Sequence, residues 1–185
     1  MQHKDKVLDE LLIMQMSNGN NKAVSLFVKR WHNKLIWYSF QVLRDKEEAQ
    51  DIVQENWHHI ISGLQHLNEI GTYKAWMYRV IRNRSIDQLR KLKREQKAID
   101  AMEVETEEQP NENAKTDKID IVRKVLKNQP AEIQEILSLF YLQRQSVHEI
   151  STILEIPVGT VKSRLYRARE QMRKSLENVK HLLEL

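Results

Sequence analysis

The chain has 185 residues, 41% hydrophobic and 30% charged, with a formal net charge of +4; this suits one or two small cores and excludes a disordered tail or a fibre. Without Cys there is neither a disulfide framework nor a thiolate metal site, and the 7 His fall at no spacing typical of zinc. Only 4 Gly and 3 Pro interrupt a sequence rich in good helix formers, so the expected fold class is all-α: two small helical domains joined by a flexible linker, the second a helix-turn-helix.

Four helices are predicted first: Lys4–Met16, Asn21–Leu43, Lys46–Leu67 and Tyr73–Leu92. The turn Ser17-Asn18-Gly19-Asn20 parts the first pair, Asp45 with Glu48 resembles a capping box, and Gly71-Thr72 precedes the fourth helix. On the third helix Ala49, Ile52, Val53, Trp57, Ile60, Ile61, Leu64 and Leu67 share one broad side, while Asp51, Gln54, Glu55, His58 and Ser62 cluster opposite. Periodicity alone reads that polar face first as ordinary wet surface, with a docking face as the lesser alternative. On the fourth helix Tyr73, Trp76 and Tyr78 adjoin a run from Arg79 to Arg94 with seven bases against Asp87 alone. Aromatics beside cations hold unstacked bases on single strands. They are also what cores are built from, and at least one of Trp76 and Tyr78 belongs inside on either reading.

Glu95 to Lys118 then holds eight acids against three bases, with Pro110, Asn111 and Asn113, a composition that reads as a flexible acidic linker. Beyond it come predicted helices Ile119–Lys127, Ala131–Gln143, Val147–Leu154 and Val158–Leu183, with Asn128-Gln129-Pro130 and Glu155-Ile156-Pro157 as the breaks. Ser146-Val147-His148-Glu149 is a capping-box pattern. The last helix carries six bases between Val158 and Lys174. Its buried stripe is Val161, Leu165, Ala168 and Met172, which leaves Thr160, Lys162, Ser163, Arg164, Tyr166 and Arg167 on other faces. A short helix, a tight turn and a longer basic helix form the helix-turn-helix arrangement, whose second helix enters the major groove. Two basic runs around an acidic tether point to a polyanion gripped at two places.

Three stretches together resemble the extracytoplasmic-function (ECF) sigma factors of bacterial RNA polymerase, over about Asn20 to Leu176. Ile156-Pro-Val-Gly-Thr-Val-Lys-Ser-Arg-Leu-Tyr-Arg-Ala-Arg169 resembles the family's −35 recognition helix. Asp51-Ile-Val-Gln-Glu-Asn-Trp57 resembles its docking segment, and Tyr73 to Asn83 with Asp87 its −10 helix. The resemblance implies a sigma factor that binds core RNA polymerase and directs promoter-specific initiation, with sigma region 2 over residues 1–94, the acidic linker over 95–118 and sigma region 4 over 119–185. It implies polymerase binding through Asp51, Gln54 and Glu55 on the beta-prime clamp coiled coil, with the beta flap as a second contact. Contacts to −10 DNA fall to Asn68, Tyr73, Trp76, Arg79, Arg82, Asn83 and Arg90. Contacts to −35 DNA fall to Thr160, Lys162, Ser163, Arg164 and Arg167. Promoter DNA and an anti-sigma factor are the further partners.

The chain departs from the family pattern at Arg144 and Glu155, where Gly is usual, at Ser151, where Ala is usual, and at Arg84 and Ser85, where small or apolar residues are usual. The rival reading is a stand-alone helix-turn-helix transcriptional regulator, against which the docking segment speaks. No carboxylate cluster, P-loop or nucleophile motif suggests an enzyme, so no catalytic residue, metal ligand or cofactor is expected. No stretch nears the ~20 apolar residues of a membrane span and Met1 to Glu10 lacks an apolar signal segment. A cytoplasmic protein without membrane insertion is expected.

Overall fold

The computed structural model describes residues 2–100 and 130–183, and every regular element among them is helical. The chain divides into two compact units, Met1–Ala101 and Met102–Leu185. The predicted helix Ile119–Lys127 and the linker from residue 101 onward lie outside the described residues.

The first unit holds α1 (Gln2–Ser17), α2 (Asn21–Leu43), α3 (Lys46–Gln65), a 3-10 turn (Ile70–Thr72) and α4 (Tyr73–Asp100). Its centre is α2, which packs on the other three helices through buried residues at four-residue steps: Ala23, Phe27, Trp31 and Leu35, then Tyr38 and Ser39. Gly19, at φ 79, turns the chain so that the Asn20 amide donates to the Gln15 carbonyl at 3.0 Å. The Asn20 side chain then accepts from the amides of Lys22 and Ala23 and caps α2. Asp45 caps α3 in the same way, accepting from Glu47 and Glu48 at 2.8 and 3.1 Å. The Glu48 carboxylate is turned to α4, where it accepts from Gln88 Nε2 at 2.8 Å, so the expected capping box is a single cap plus a cross-helix tie.

Aromatic rings fill the space between α2 and α4. Tyr38 and Tyr78 meet edge to face at 4.9 Å, and Trp31 meets Tyr73 in the same manner at 5.8 Å. A polar pair in this wall is Ser39 with Ser85, whose hydroxyls lie 2.8 Å apart and buried. Since Ser85 spends its only hydrogen on the Ile81 carbonyl, Ser39 is the donor. α4 runs eight residues past its predicted end at Leu92, because Lys93 to Ala98 is a run of good helix formers with Lys91 and Glu95 four apart and 4.0 Å from each other.

The second unit holds α5 (Ala131–Leu137), continued by a π-turn (Ser138–Leu142), then α6 (Val147–Leu154) and α7 (Val158–Leu183). The predicted helix Ala131–Gln143 therefore widens at its end. The Gln143 amide reaches back to the Ser138 carbonyl at 3.0 Å, and this wider turn lets four consecutive residues, Ile136 to Leu139, all be buried. Ile150, Ile153 and Leu154 of α6 and Val161, Leu165 and Ala168 of α7 complete that core, as the periodicity predicts; the Met172 side chain lies outside the described residues.

Candidate nucleic-acid interface

α3 shows two chemically distinct sides. Ile52, Val53, Trp57, Ile60 and Leu64 are buried, whereas Asp51, Gln54, Glu55, His58 and Ser62 are exposed. The three expected docking residues thus form one stripe, on a helix whose N-terminus is capped and whose far side is locked into the core. The stripe borders a cleft between α3 and α4 lined by Glu55, Asn56, Arg84, Gln88 and Lys91 among others.

The loop between α3 and α4 is tied down locally. His66 Nδ1 lies 2.7 Å from the Ser62 carbonyl, and Thr72 Oγ1 donates to the Glu69 carbonyl at 2.7 Å. Asn68, expected to catch a base, is exposed on it. Tyr73, expected to do the same, is not: its ring is buried against Phe27 and Trp31. Its hydroxyl donates to Asp9 Oδ2 at 2.9 Å. Burial first, then the Asp9 carboxylate, pushes the Tyr73 hydroxyl well above the ordinary tyrosine value, so it stays protonated and donates. Asp9 is itself buried and takes Arg30 Nε at 2.7 Å, while Arg30 Nη2 reaches Asp5 at 3.2 Å. The aromatic beside the loop is thus a clamp between α1, α2 and α4, and offers no ring face to a base.

Trp76 is half-buried and lies on Gly63 of α3, where an added Cβ would collide with its Cη2 and Cζ2. His59 flanks the same ring at 6.0 Å. Tyr78 is buried in the core, so one of this pair is inside and the other at the surface. Along α4, Arg79 and Arg82 are half-buried, while Asn83, Asp87, Arg90 and Arg94, which follow one another at three- and four-residue steps, are exposed. Arg90 sits 3.6 Å from Asp87 and the Arg94 guanidinium reaches the Arg90 carbonyl at 3.2 Å.

In the second unit the turn leading into α6 has Arg144 at φ 53, and the turn leaving it has Glu155 at φ 56. These are left-handed positions that favour glycine. Compensation comes from neighbours. The Gln145 amide closes back on the Leu139 carbonyl at 2.9 Å, and the Ser151 hydroxyl donates to the Ile156 carbonyl at 2.6 Å. Ser146 and Glu149 form a full capping box on α6. With both turns so fixed, α7 begins at Val158 with the Thr160 amide on the Pro157 carbonyl at 2.9 Å.

α7 turns Lys162, Ser163 and Arg167 to solvent, with Thr160 half-buried beside them. Ser163 Oγ donates to the Thr160 carbonyl at 3.0 Å. Arg164 stands at the flank of this face, where its Nη2 pairs with Glu132 Oε2 of α5 at 2.8 Å. Between Ser163 and Arg167 the ring of Tyr166 is 67% exposed, although it stands outside the expected reader set. The signal that could have placed it there is its position three residues after Ser163, one turn along the same face. Arg169, farther round, stacks over Phe140 and Tyr141 and donates to the Tyr141 hydroxyl at 2.9 Å, so it braces the unit. Among the described residues no group of His, Asp and Glu could hold a metal ion, and no helix is long and apolar enough to cross a membrane.

Family models described as sigma-70 region 2 and sigma-70 region 4 match residues 27–95 and 122–172. Similar curated proteins include the RNA polymerase sigma-H factor of Pseudomonas aeruginosa, 26% identical over 91% of this chain and 94% of that protein. The ECF RNA polymerase sigma factor SigW of Bacillus subtilis is 29% identical over 90% of this chain and 96% of its own. Among solved structures, the sigma factor RpoE in complex with the anti-sigma factor NepR from Bartonella quintana has a TM-score of 0.63 at 22% identity, covering 83% of this chain and 96% of that one. CnrH in complex with the cytosolic domain of CnrY has a TM-score of 0.62 at 20% identity, covering 92% and 98%.

Proposed function

We propose a mechanism that starts from one fact: this chain belongs to the extracytoplasmic-function sigma factors of the sigma-70 family. It is a promoter-recognising subunit of RNA polymerase. In our reading it works in the cytoplasm and has no catalysis of its own, since opening a promoter by trapping bases needs binding energy and no covalent step.

Residues 1–94 act as region 2. The stripe of Asp51, Gln54 and Glu55 docks on the beta-prime clamp coiled coil, a helix laid against helices. Asn68 and the loop around it meet a −10 base flipped from the stack. Trp76 offers the aromatic edge, and Asn83 with Arg79, Arg82 and Arg90 follows the backbone. Tyr73 serves by holding the loop to α1. Residues 119–185 act as region 4, touching the beta flap and placing the amino-terminal half of α7 in the −35 major groove. There Thr160, Lys162, Ser163, Arg164 and Arg167, joined by Tyr166, face base edges and phosphates. Because α4 stays helical to Asp100, the tether proposed for 95–118 shortens at its start. An anti-sigma factor fits the same surfaces in the idle protein, as the solved relatives RpoE with NepR and CnrH with CnrY invite.

The observation that carries this reading is the presence in one chain of a core-locked α3 displaying Asp51, Gln54 and Glu55 and an α7, begun at a fixed turn, displaying Lys162, Ser163, Tyr166 and Arg167, each on its own unit. A stand-alone helix-turn-helix regulator has no use for the first. The test is co-purification with core polymerase: Asp51→Ala with Glu55→Ala abolishes binding while the helical content is kept, because both side chains are exposed. Normal binding by the double variant refutes the docking assignment.

A further inference from the structure

Arg164 differs from Lys162 and Arg167 on the same helix in having a counter-charge supplied by another helix. Its side chain is 30% exposed and its Nη2 lies 2.8 Å from Glu132 Oε2, on a carboxylate that is 70% exposed in the first turn of α5. Lys162 and Arg167 project into solvent on the same helix. α5 packs on α7, with Ile136 and Leu137 buried on one side and Val161, Leu165 and Ala168 on the other. The carboxylate is therefore carried on a fixed support one turn from the core, and Arg164 is held at a defined place beside Thr160 and Arg167.

A guanidinium has five N–H donors in a planar fork, and the pair with Glu132 leaves others free to meet an acceptor that comes to that place. An acceptor that lies elsewhere can be met only if Arg164 leaves Glu132, and a phosphate drawn to the arginine also approaches the carboxylate. The first situation describes a duplex whose base edges fit the docked helix. The second describes any other duplex, where an unheld arginine swings to the nearest phosphate. We propose that Glu132 is a specificity-determining residue: it holds Arg164 for the cognate −35 element and makes its recruitment by non-cognate DNA costly, a repulsive element built against the wrong partner. This rests on reading α7 as the groove helix.

The test uses holoenzyme reconstituted with core polymerase and two probes: a promoter duplex selected from a randomised library by the unaltered holoenzyme, and the same duplex with its −35 segment scrambled. Glu132→Gln keeps the size of the side chain and removes its charge. The scrambled duplex then binds about two- to fivefold tighter, the selected duplex changes by less than about twofold, and their ratio falls. The slope of log affinity against log salt on scrambled DNA steepens by about one, as one more cation becomes available to phosphate. In an Arg164→Ala background Glu132→Gln no longer moves the ratio. An unchanged or increased ratio on Glu132→Gln in the native background overturns the inference, as does a shift of equal size without Arg164. Arg167→Ala in the same series separates the two levels. Selective loss on the selected duplex with an unmoved Glu132→Gln ratio sinks the Glu132 role alone, and equal loss on both duplexes sinks the groove-helix reading beneath it.

Discussion

Removing Asp9 unlocks the first unit from beneath the loop that joins α3 to α4. Its carboxylate is buried and takes two bonds, from Arg30 Nε at 2.7 Å and from the Tyr73 hydroxyl at 2.9 Å. Asp9→Ala strands a buried hydroxyl, which costs about 1–3 kcal/mol. Breaking a buried ion pair costs about 3–5 kcal/mol when the partner is wholly enclosed, but Arg30 is 28% exposed and keeps Asp5 at 3.2 Å, so its share is far smaller. The sum is about 2–4 kcal/mol. All 4 Trp, at positions 31, 37, 57 and 76, lie in the first unit, so tryptophan fluorescence follows its unfolding in the full chain without interference from the second. With a urea slope of about 1–2 kcal/mol per molar, the midpoint falls by roughly 1–4 M. Asp9→Asn keeps an acceptor and falls less; Tyr73→Phe leaves the pair with Arg30 and costs about 1 kcal/mol. A loss of stability for Asp9→Ala of less than about 0.5 kcal/mol, the range of ordinary surface changes, refutes the clamp.

The same hydroxyl gives a pH dependence. The pKa values of Tyr73 and Tyr78 are both raised by burial above the unfolded value, so their contribution is complete below about pH 10 and is lost as pH rises beyond it; urea midpoints flat from pH 8 to 10 and falling above would bear this out. Gly63→Ala drives the Trp76 indole off its seat. It destabilises the first unit by about 1–3 kcal/mol, less up to about 1 recovered as helix propensity, and shifts tryptophan emission to the red. Glu155→Gly relieves a left-handed backbone at a helix end and stabilises the second unit by about 0.5–1 kcal/mol, read as slower amide exchange at Ile150 and Ile153; faster exchange there contradicts it.

Where local chemistry decides, the sequence was readable. The Ser17-Asn18-Gly19-Asn20 turn, Asp45 as a cap, Ser146 with Glu149 as a capping box and the Glu155-Ile156-Pro157 break set the ends of α2, α3, α6 and α7, and Ile52, Val53, Trp57 and Ile60 gave α3 its inner side. Tyr73 was misread because an aromatic before a basic run looks the same whether it stacks on a base or on a core. What separates the two is Asp9, 64 residues away. Glu132 was passed over for the like reason, as its partner Arg164 lies 32 positions on and comes to it only when α5 and α7 pack. Arg144, Ser151 and Glu155 could be named as departures from a pattern, but that a serine hydroxyl bridges the turn that a left-handed glutamate makes is visible only in three dimensions.

The unbroken course of α4 makes it a measuring stick. From Arg79 to Arg94 the helix climbs fifteen residues, about 22 Å at 1.5 Å each, which is the length of six or seven phosphates along one strand at about 3.4 Å apiece. An unbroken helix cannot stretch to meet the phosphates of a strand laid along it, so the distance between its first and last cations is graduated by the peptide itself. One residue inserted between Asn83 and Arg90 advances the far cations by only about 1.5 Å but swings them through about 100°, away from any strand the near ones hold. Spacing along this rod tolerates error; phase does not.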